Sequence, residues 1–132
     1  SELSDLSRIN LKDDSDLIIN KIKKAKTDPL PIPNYTKDLD ERPEAKNLLG
    51  IYSSLTNSTM EKSVEIFAGK NFSEFKEKLS EVLVDRIQPI TLEIKKLLND
   101  KSYLDKTLLE GVERADKIAS QKIKRIKEIV GF

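Results

Sequence analysis

The sequence has no cysteine and no histidine, one methionine, four glycines and few aromatic side chains. Each absence removes some chemistry. Without cysteine there is no disulfide and no thiolate nucleophile. Without histidine there is no Ser-His-Asp triad, and lacking both there is no thiolate or imidazole zinc site. A cysteine-free chain suits a reducing compartment. No apolar run approaches the ~20 residues needed to span a bilayer, and no signal-peptide pattern is visible. A dominant charge is missing too. Lys+Arg total 24 against 23 Asp+Glu, a net +1, so bulk charge points to no partner. The chain begins with Ser1 and its only methionine is Met60, so we expect that it does not start where translation starts.

The composition that remains is 37% hydrophobic and 36% charged over 132 residues. That is room for one domain with one sizeable core, and too apolar and too regular for a disordered tail. Residues 1–12 carry no helical period and read as an irregular lead-in. Asp13, Asp14 and Asp16 then precede Leu17, Ile18, Ile22 and Ala25. This is a capping cluster opening a helix of about three turns. A cation loop is the alternative for these acids, but Ile18 and Ile19 stand where calcium loops need oxygen and glycine. Lys21, Lys23, Lys24 and Lys26 fall toward the helix end and complement its dipole.

From Thr27 to Glu41 the chain should be a loop, because Pro29, Pro31 and Pro33 lack donors and extend their predecessors. Its simplest role is a spacer crossing the surface. A second helix should start near Arg42-Pro43-Glu44 and end at Asn57, with Ala45, Leu48, Leu49, Tyr52 and Leu55 as its apolar stripe. Ser58-Thr59-Met60-Glu61 has capping-box spacing and opens a short helix that Gly69 stops. Asn71 and Glu74 open a long helix with Phe72, Phe75, Leu79, Val82, Leu83, Ile87, Ile90, Ile94, Leu97 and Leu98 on one side, and a kink or break is expected just before Pro89. Ser102 opens the last helix. Its expected core stripe is Leu104, Leu108, Val112, Ala115, Ala119, Ile123, Ile126 and Val130, and Gly131 ends it. The fold class is therefore all-α, a bundle of about five helices with the long one kinked at Pro89.

No pair of residues proposes itself as general acid and base. Two basic faces stand out instead. On the last helix Arg114, Lys117, Lys124 and Arg125 lie roughly opposite the apolar stripe, and no acid occurs between Lys117 and Lys127. Such a face could neutralise several phosphates. It could equally be a solvated surface with basic residues near a helix C-terminus. The lysines of the first helix, Lys21 and Lys24 among them, form a second patch with the same two readings. Tyr35, Tyr52 and Tyr103 are scattered; Tyr52 reads as packing, and Tyr35, in the proline-rich loop, as the one available to a ligand.

A series of short segments sharpens this reading. Ile9, Leu11, Asp13 and Asp14 fit an Ile-x-Leu-x-Asp-Asp stretch. Ile18, Lys21, Ile22, Ala25, Thr27 and Asp28 fit Ile-x-x-Lys-Ile-x-x-Ala-x-Thr-Asp. Arg42, Pro43, Glu44, Asn47, Leu48, Ile51 and Tyr52 follow, then Phe75, Lys76 and Leu79, then Gly111, Glu113, Ala115 and Ala119. In this order and at these gaps the chain resembles the C-terminal part of bacterial-type tryptophanyl-tRNA synthetases, which are class I aminoacyl-tRNA synthetases. It departs from the family at Asn71, often Gly there, and at Glu2-Leu3, usually Asp-Pro.

The resemblance implies that residues 1–12 are the tail of the catalytic domain and residues 13–132 a helical domain that recognises the tRNA anticodon. Ser1 then falls on the last Ser of the KMSKS loop that serves ATP. The rest of that loop and the nucleotide-binding fold lie outside this sequence. The parent enzyme would use ATP with Mg2+, act on tRNA(Trp) in the cytoplasm and dimerise through its catalytic half. This chain alone would bind no cofactor, catalyse nothing and be a monomer. Under the resemblance Lys21, Lys24, Arg114, Lys117, Lys124 and Arg125 are the tRNA-binding candidates. A helical structural or protein-interaction module without tRNA binding is the alternative.

Overall fold

A computed structural model describes residues 5–131. It is all-α, with five helices and no strand among those residues. The helices are α1 (Ser15–Lys24), α2 (Pro43–Thr56), α3 (Met60–Phe67), α4 (Phe72–Asn99) and α5 (Lys101–Val130). Short 3-10 turns occur at Asp5–Ser7 and Thr36–Leu39. No described helix is long and apolar enough to cross a membrane. The chain divides into two compact units, residues 1–92 and 93–132, and the division falls inside α4.

The helix boundaries follow local chemistry. Asp14 caps α1, its carboxylate accepting from the Leu17 amide at 2.9 Å, which satisfies one of the free donors of the first turn. Asp13, read above as part of the same cap, turns inward instead. Pro43 occupies the first turn of α2. Asn57 ends that helix at φ 52°, left-handed geometry that asparagine tolerates better than most side chains. The cap of α3 is Thr59 rather than Ser58. Asn71 caps α4 through the Glu74 amide at 2.9 Å, and Asp100, not Ser102, caps α5 through the Tyr103 amide at 3.0 Å.

In the first unit α1, α2, α3 and the front of α4 enclose one core. Ile18, Ile22, Leu48, Leu49, Val64, Phe67, Phe75, Leu79 and Leu83 are all buried. Phe67 and Phe75 meet edge to face at 4.8 Å, and Tyr52 packs edge-on against Phe67 at 4.9 Å, an arrangement that adds to plain area burial. Tyr52 is packing, as its place on the stripe suggests. The proline-rich segment is not a surface spacer: it sends Ile32 and Leu39 into the core, each 1% exposed. Ile32 is pinned by its amide to the Lys70 carbonyl and by its carbonyl to the Gly69 amide, both at 2.9 Å.

Pro89 does not break α4, which runs continuously past it. The carbonyl that Pro89 leaves without a donor belongs to Asp85, and both residues are exposed, so water can satisfy it. One turn on, the buried Thr91 hydroxyl donates to the carbonyls of Leu11 at 2.7 Å and Ile87 at 3.2 Å.

In the second unit the expected core stripe of α5 is not buried. Leu108, Val112, Ile123, Ile126 and Val130 are all more than half exposed, and no residue of α5 is buried. Only Ile94, Leu97, Leu104 and Gly111 are half-buried among the described residues of this unit. Leu98, on the expected stripe of α4, is exposed as well, and beyond α4 the described residues of this unit are Asp100, those of α5 and Gly131.

Candidate nucleic-acid interface

In α1 the four candidate lysines separate into different roles. Lys21 is not available to a phosphate. It is 2% exposed and its ammonium donates to Asp13 Oδ2 at 2.8 Å, with Asp5 Oδ2 at 3.0 Å on its other side. Asn10 closes the arrangement, its amide N–H donating to Asp13 Oδ2 and its side chain to Asp5 Oδ1, both at 2.9 Å. The bond to Asp13 raises the Lys21 pKa, burial opposes it, and Asp5 adds to the rise. Burial pushes the Asp13 carboxyl up, but Lys21 and Asn10 outweigh it and hold the group below its usual value. A charge at this depth is tolerated only when paired and bonded, so Lys21 docks the lead-in segment onto α1.

Lys23 and Lys24 remain exposed and form no ion pair among the described residues, whereas Lys26 pairs with Glu44 at 3.0 Å. Lys76 is half-buried against the end of α1, donating to the carbonyls of Ala25 at 2.7 Å and Lys23 at 3.3 Å. Burial lowers its pKa. It meets carbonyls that the helix end leaves free.

Arg42 organises the proline-rich segment. Its guanidinium grips Asp28 with two bonds, Nη2 to Oδ1 at 2.6 Å and Nε to Oδ2 at 2.9 Å, the fork geometry that favours arginine. It also donates to the carbonyls of Pro31 at 2.8 Å and Leu30 at 3.1 Å. The Arg42 bond is the main cause that holds the Asp28 carboxyl below its ordinary value. Tyr35 stands outside this clamp, 64% exposed, with the Lys37 ammonium 5.4 Å from its ring centre. Reasoning from sequence singled out Tyr35 and missed Lys37; an aromatic and a cation two positions apart in a proline-rich stretch were the signal.

In the second unit Arg114, Lys117, Lys124 and Arg125 are all exposed on α5, as their spacing suggests. None of them forms an ion pair among the described residues; Arg114 only donates back to the Glu110 carbonyl at 3.3 Å. They cover eleven residues of rise, about 16 Å along the axis, with side chains confined to one face. Four cations on one helix face can meet phosphates without first breaking an ion pair. Ser1 lies outside the described residues.

The segments that carried the resemblance in the first unit prove to be structural. Ile18 and Ile22 are core, Lys21 is the buried cation, Asp28 and Arg42 are the clamp, and Phe75 and Leu79 flank the capping Lys76. Motif positions thus hold the scaffold, while the exposed cations lie outside them.

No family model matches the chain. Its sequence over all 132 residues is, however, similar to enzymes that charge tRNA, the aminoacyl-tRNA synthetases. The particular relatives are tryptophan–tRNA ligases: 48% identity to that of Rickettsia felis, 45% to that of Rhizobium meliloti and 46% to that of Agrobacterium fabrum. The chain is homologous to the C-terminal part of these proteins and spans 37–39% of their length.

Proposed function

We propose that this chain is the tRNA-recognising part of a tryptophan–tRNA ligase, with residues 13–132 forming the helical anticodon-binding domain and residues 1–12 the tail of the catalytic domain. The observation that carries the reading is similarity to tryptophan–tRNA ligases along every residue. In the whole enzyme the tryptophan carboxylate attacks the α-phosphate of ATP and expels pyrophosphate, and the aminoacyl group then passes from the adenylate to the 3′ end of tRNA(Trp) with release of AMP. Magnesium accompanies the ATP. The part proposed for this chain is recognition rather than activation. Its task is to hold the anticodon end while the catalytic half, in the cytoplasm and as a homodimer, performs the chemistry.

The exposed cations supply the nonspecific part of that task. Lys24 of α1 and the Arg114, Lys117, Lys124 and Arg125 face of α5 supply phosphate contacts, and unpaired anticodon bases supply specificity, as is general for RNA recognition. The test is binding of the 132-residue chain to tRNA(Trp) transcript across a salt series. Affinity should fall steeply with salt and should drop when the anticodon is replaced. No binding at low salt would leave a purely structural module as the answer.

A further inference from the structure

Many charged groups in the first unit are already engaged. Lys21 holds Asp13 and Asp5, Arg42 holds Asp28, Lys26 holds Glu44, Lys46 holds Asp40 and Lys70 holds Glu74. One place differs. A cleft of about 460 Å3 lies between the segment leading into the Thr36–Leu39 turn and α3, and Asn34, Tyr35, Lys37, Glu61 and Glu65 line it. All five are exposed. No side-chain hydrogen bond or ion pair among the described residues uses their polar groups; the one contact is Lys37 over the Tyr35 ring. An aromatic ring, a carboxamide, an ammonium and two carboxylates therefore face one space with their bonding capacity free.

The backbone beneath them is fixed. Tyr35 sits between two buried anchors, Ile32 and Leu39, each 1% exposed. Ile32 is bonded to Gly69 and Lys70 at the far end of α3, and Arg42 grips the carbonyls of Leu30 and Pro31. Glu61 and Glu65 are one helical turn apart on α3, so they share a face. An exposed aromatic side chain on a rigid support loses little freedom on binding, which is what makes such residues effective anchors.

The charge of the cleft selects the occupant. Two carboxylates against one ammonium repel a phosphate. They accept hydrogen bonds from an exocyclic amine, as acidic side chains do from cytosine. The Tyr35 ring offers a stacking face, and single-stranded RNA presents bases unstacked for such a platform. We infer that the Tyr35–Lys37 cleft against α3 is a binding site for one unpaired RNA base that carries an exocyclic amine, stacked on Tyr35 and read by Glu61 and Glu65. The inference rests on the tRNA reading above and adds the place and chemistry of one base contact to it.

The test uses the 132-residue chain and an anticodon stem-loop of tRNA(Trp), with intact tRNA(Trp) as the reference. Tyr35→Ala should weaken stem-loop binding by roughly 5- to 150-fold while leaving the salt slope unchanged, because no phosphate contact is lost. Tyr35→Phe should bind nearly as wild type. Replacing the amine-bearing anticodon bases by uracil one at a time should weaken wild type at one position, and Glu61→Gln with Glu65→Gln should reduce that discrimination. All three residues are exposed, so the far-ultraviolet circular dichroism of each variant should match wild type. If wild type binds tRNA(Trp) while Tyr35→Ala and the double glutamine variant keep full affinity and discrimination, this inference falls and the tRNA reading stands. Should wild type not bind tRNA at all, the tRNA reading falls and takes the site with it.

Discussion

The two units are built from helices of similar pattern and end in different states. In the first, apolar residues three and four positions apart meet partners and vanish from the surface; among the described residues every buried one lies at or before Thr91. In the second, α5 carries the same spacing for 30 residues and buries none of them. A periodic stripe specifies which face of a helix is apolar. It does not specify what covers that face. The polar groups differ in parallel. In the first unit many charges are paired and some position backbone, whereas the cations of α5 form no ion pair among the described residues.

The sharpest way to break this comparison is to cut equivalent holes in both units. Phe75→Ala removes a fully buried ring in contact with Phe67, Phe72 and Tyr52. It should cost about 3–5 kcal/mol in urea unfolding. Ile126→Ala on α5, 59% exposed in this chain, should change stability by less than about 0.5 kcal/mol. Equal losses would mean that α5 buries its stripe in solution and that the two units are not different in kind.

Legibility from the sequence follows the same division. Helix ends written in short-range chemistry could be read directly: Asp14, Pro43, Asn57, Gly69, Asn71 and Gly131 sit at the ends they announce. Stripes could be read as faces, and in α2 and the front of α4 also as core. What the string hides is partnership over distance. Nothing local says that Lys21 meets Asp5 and Asp13 rather than solvent, or that Ile32 and Leu39 of a proline-rich loop complete a core. The α5 stripe was read as core for the same reason in reverse. Among the candidate site residues, solvent exposure of Lys24, Arg114, Lys117, Lys124 and Arg125 was legible from charge and spacing. The withdrawal of Lys21 from that set was not, because a buried pair and a solvated lysine look identical in one dimension.

A smaller effect separates paired from unpaired lysines. Lys21→Met leaves Asp13 buried without its cation, whereas Lys124→Met removes a charge that pairs with nothing among the described residues. Only the first should lower the unfolding midpoint. The pH dependence carries the sign. Asp13, Asp5 and Asp28 have folded pKa values below their unfolded ones. Their contribution is present above the ordinary carboxylate range, near pH 4, and is lost as pH falls through the folded values. Lys21 is raised above 10.5, so its contribution is complete below that pH and is lost only as pH rises beyond it. Between about pH 5 and 9 the pair should give a flat profile. Below pH 4 wild type should lose stability, and Lys21→Met, with the stabilisation of Asp13 removed, should lose less on the same titration from its lower starting point. A parallel acid limb in the two proteins would show that the pair is not formed.

The smallest expected change concerns α5 and is read in a slope rather than in stability. If Lys117 and Lys124 meet phosphates, then Lys117→Ala with Lys124→Ala should leave the urea transition unmoved, since neither side chain holds any part of the fold. The same variant should bind tRNA(Trp) more weakly, and the plot of log affinity against log salt should flatten. Each lost contact removes about 0.7 to 0.9 from the magnitude of that slope, so the pair should remove roughly twice as much. A change of anticodon should weaken the variant and wild type by the same factor, because phosphate contacts position an RNA without reading it. This separates the α5 face from the Tyr35 cleft, where the opposite pattern is expected: lost discrimination at constant slope. An unchanged slope would reduce the α5 cations to a solvated surface and leave the first unit as the part of the chain that meets RNA.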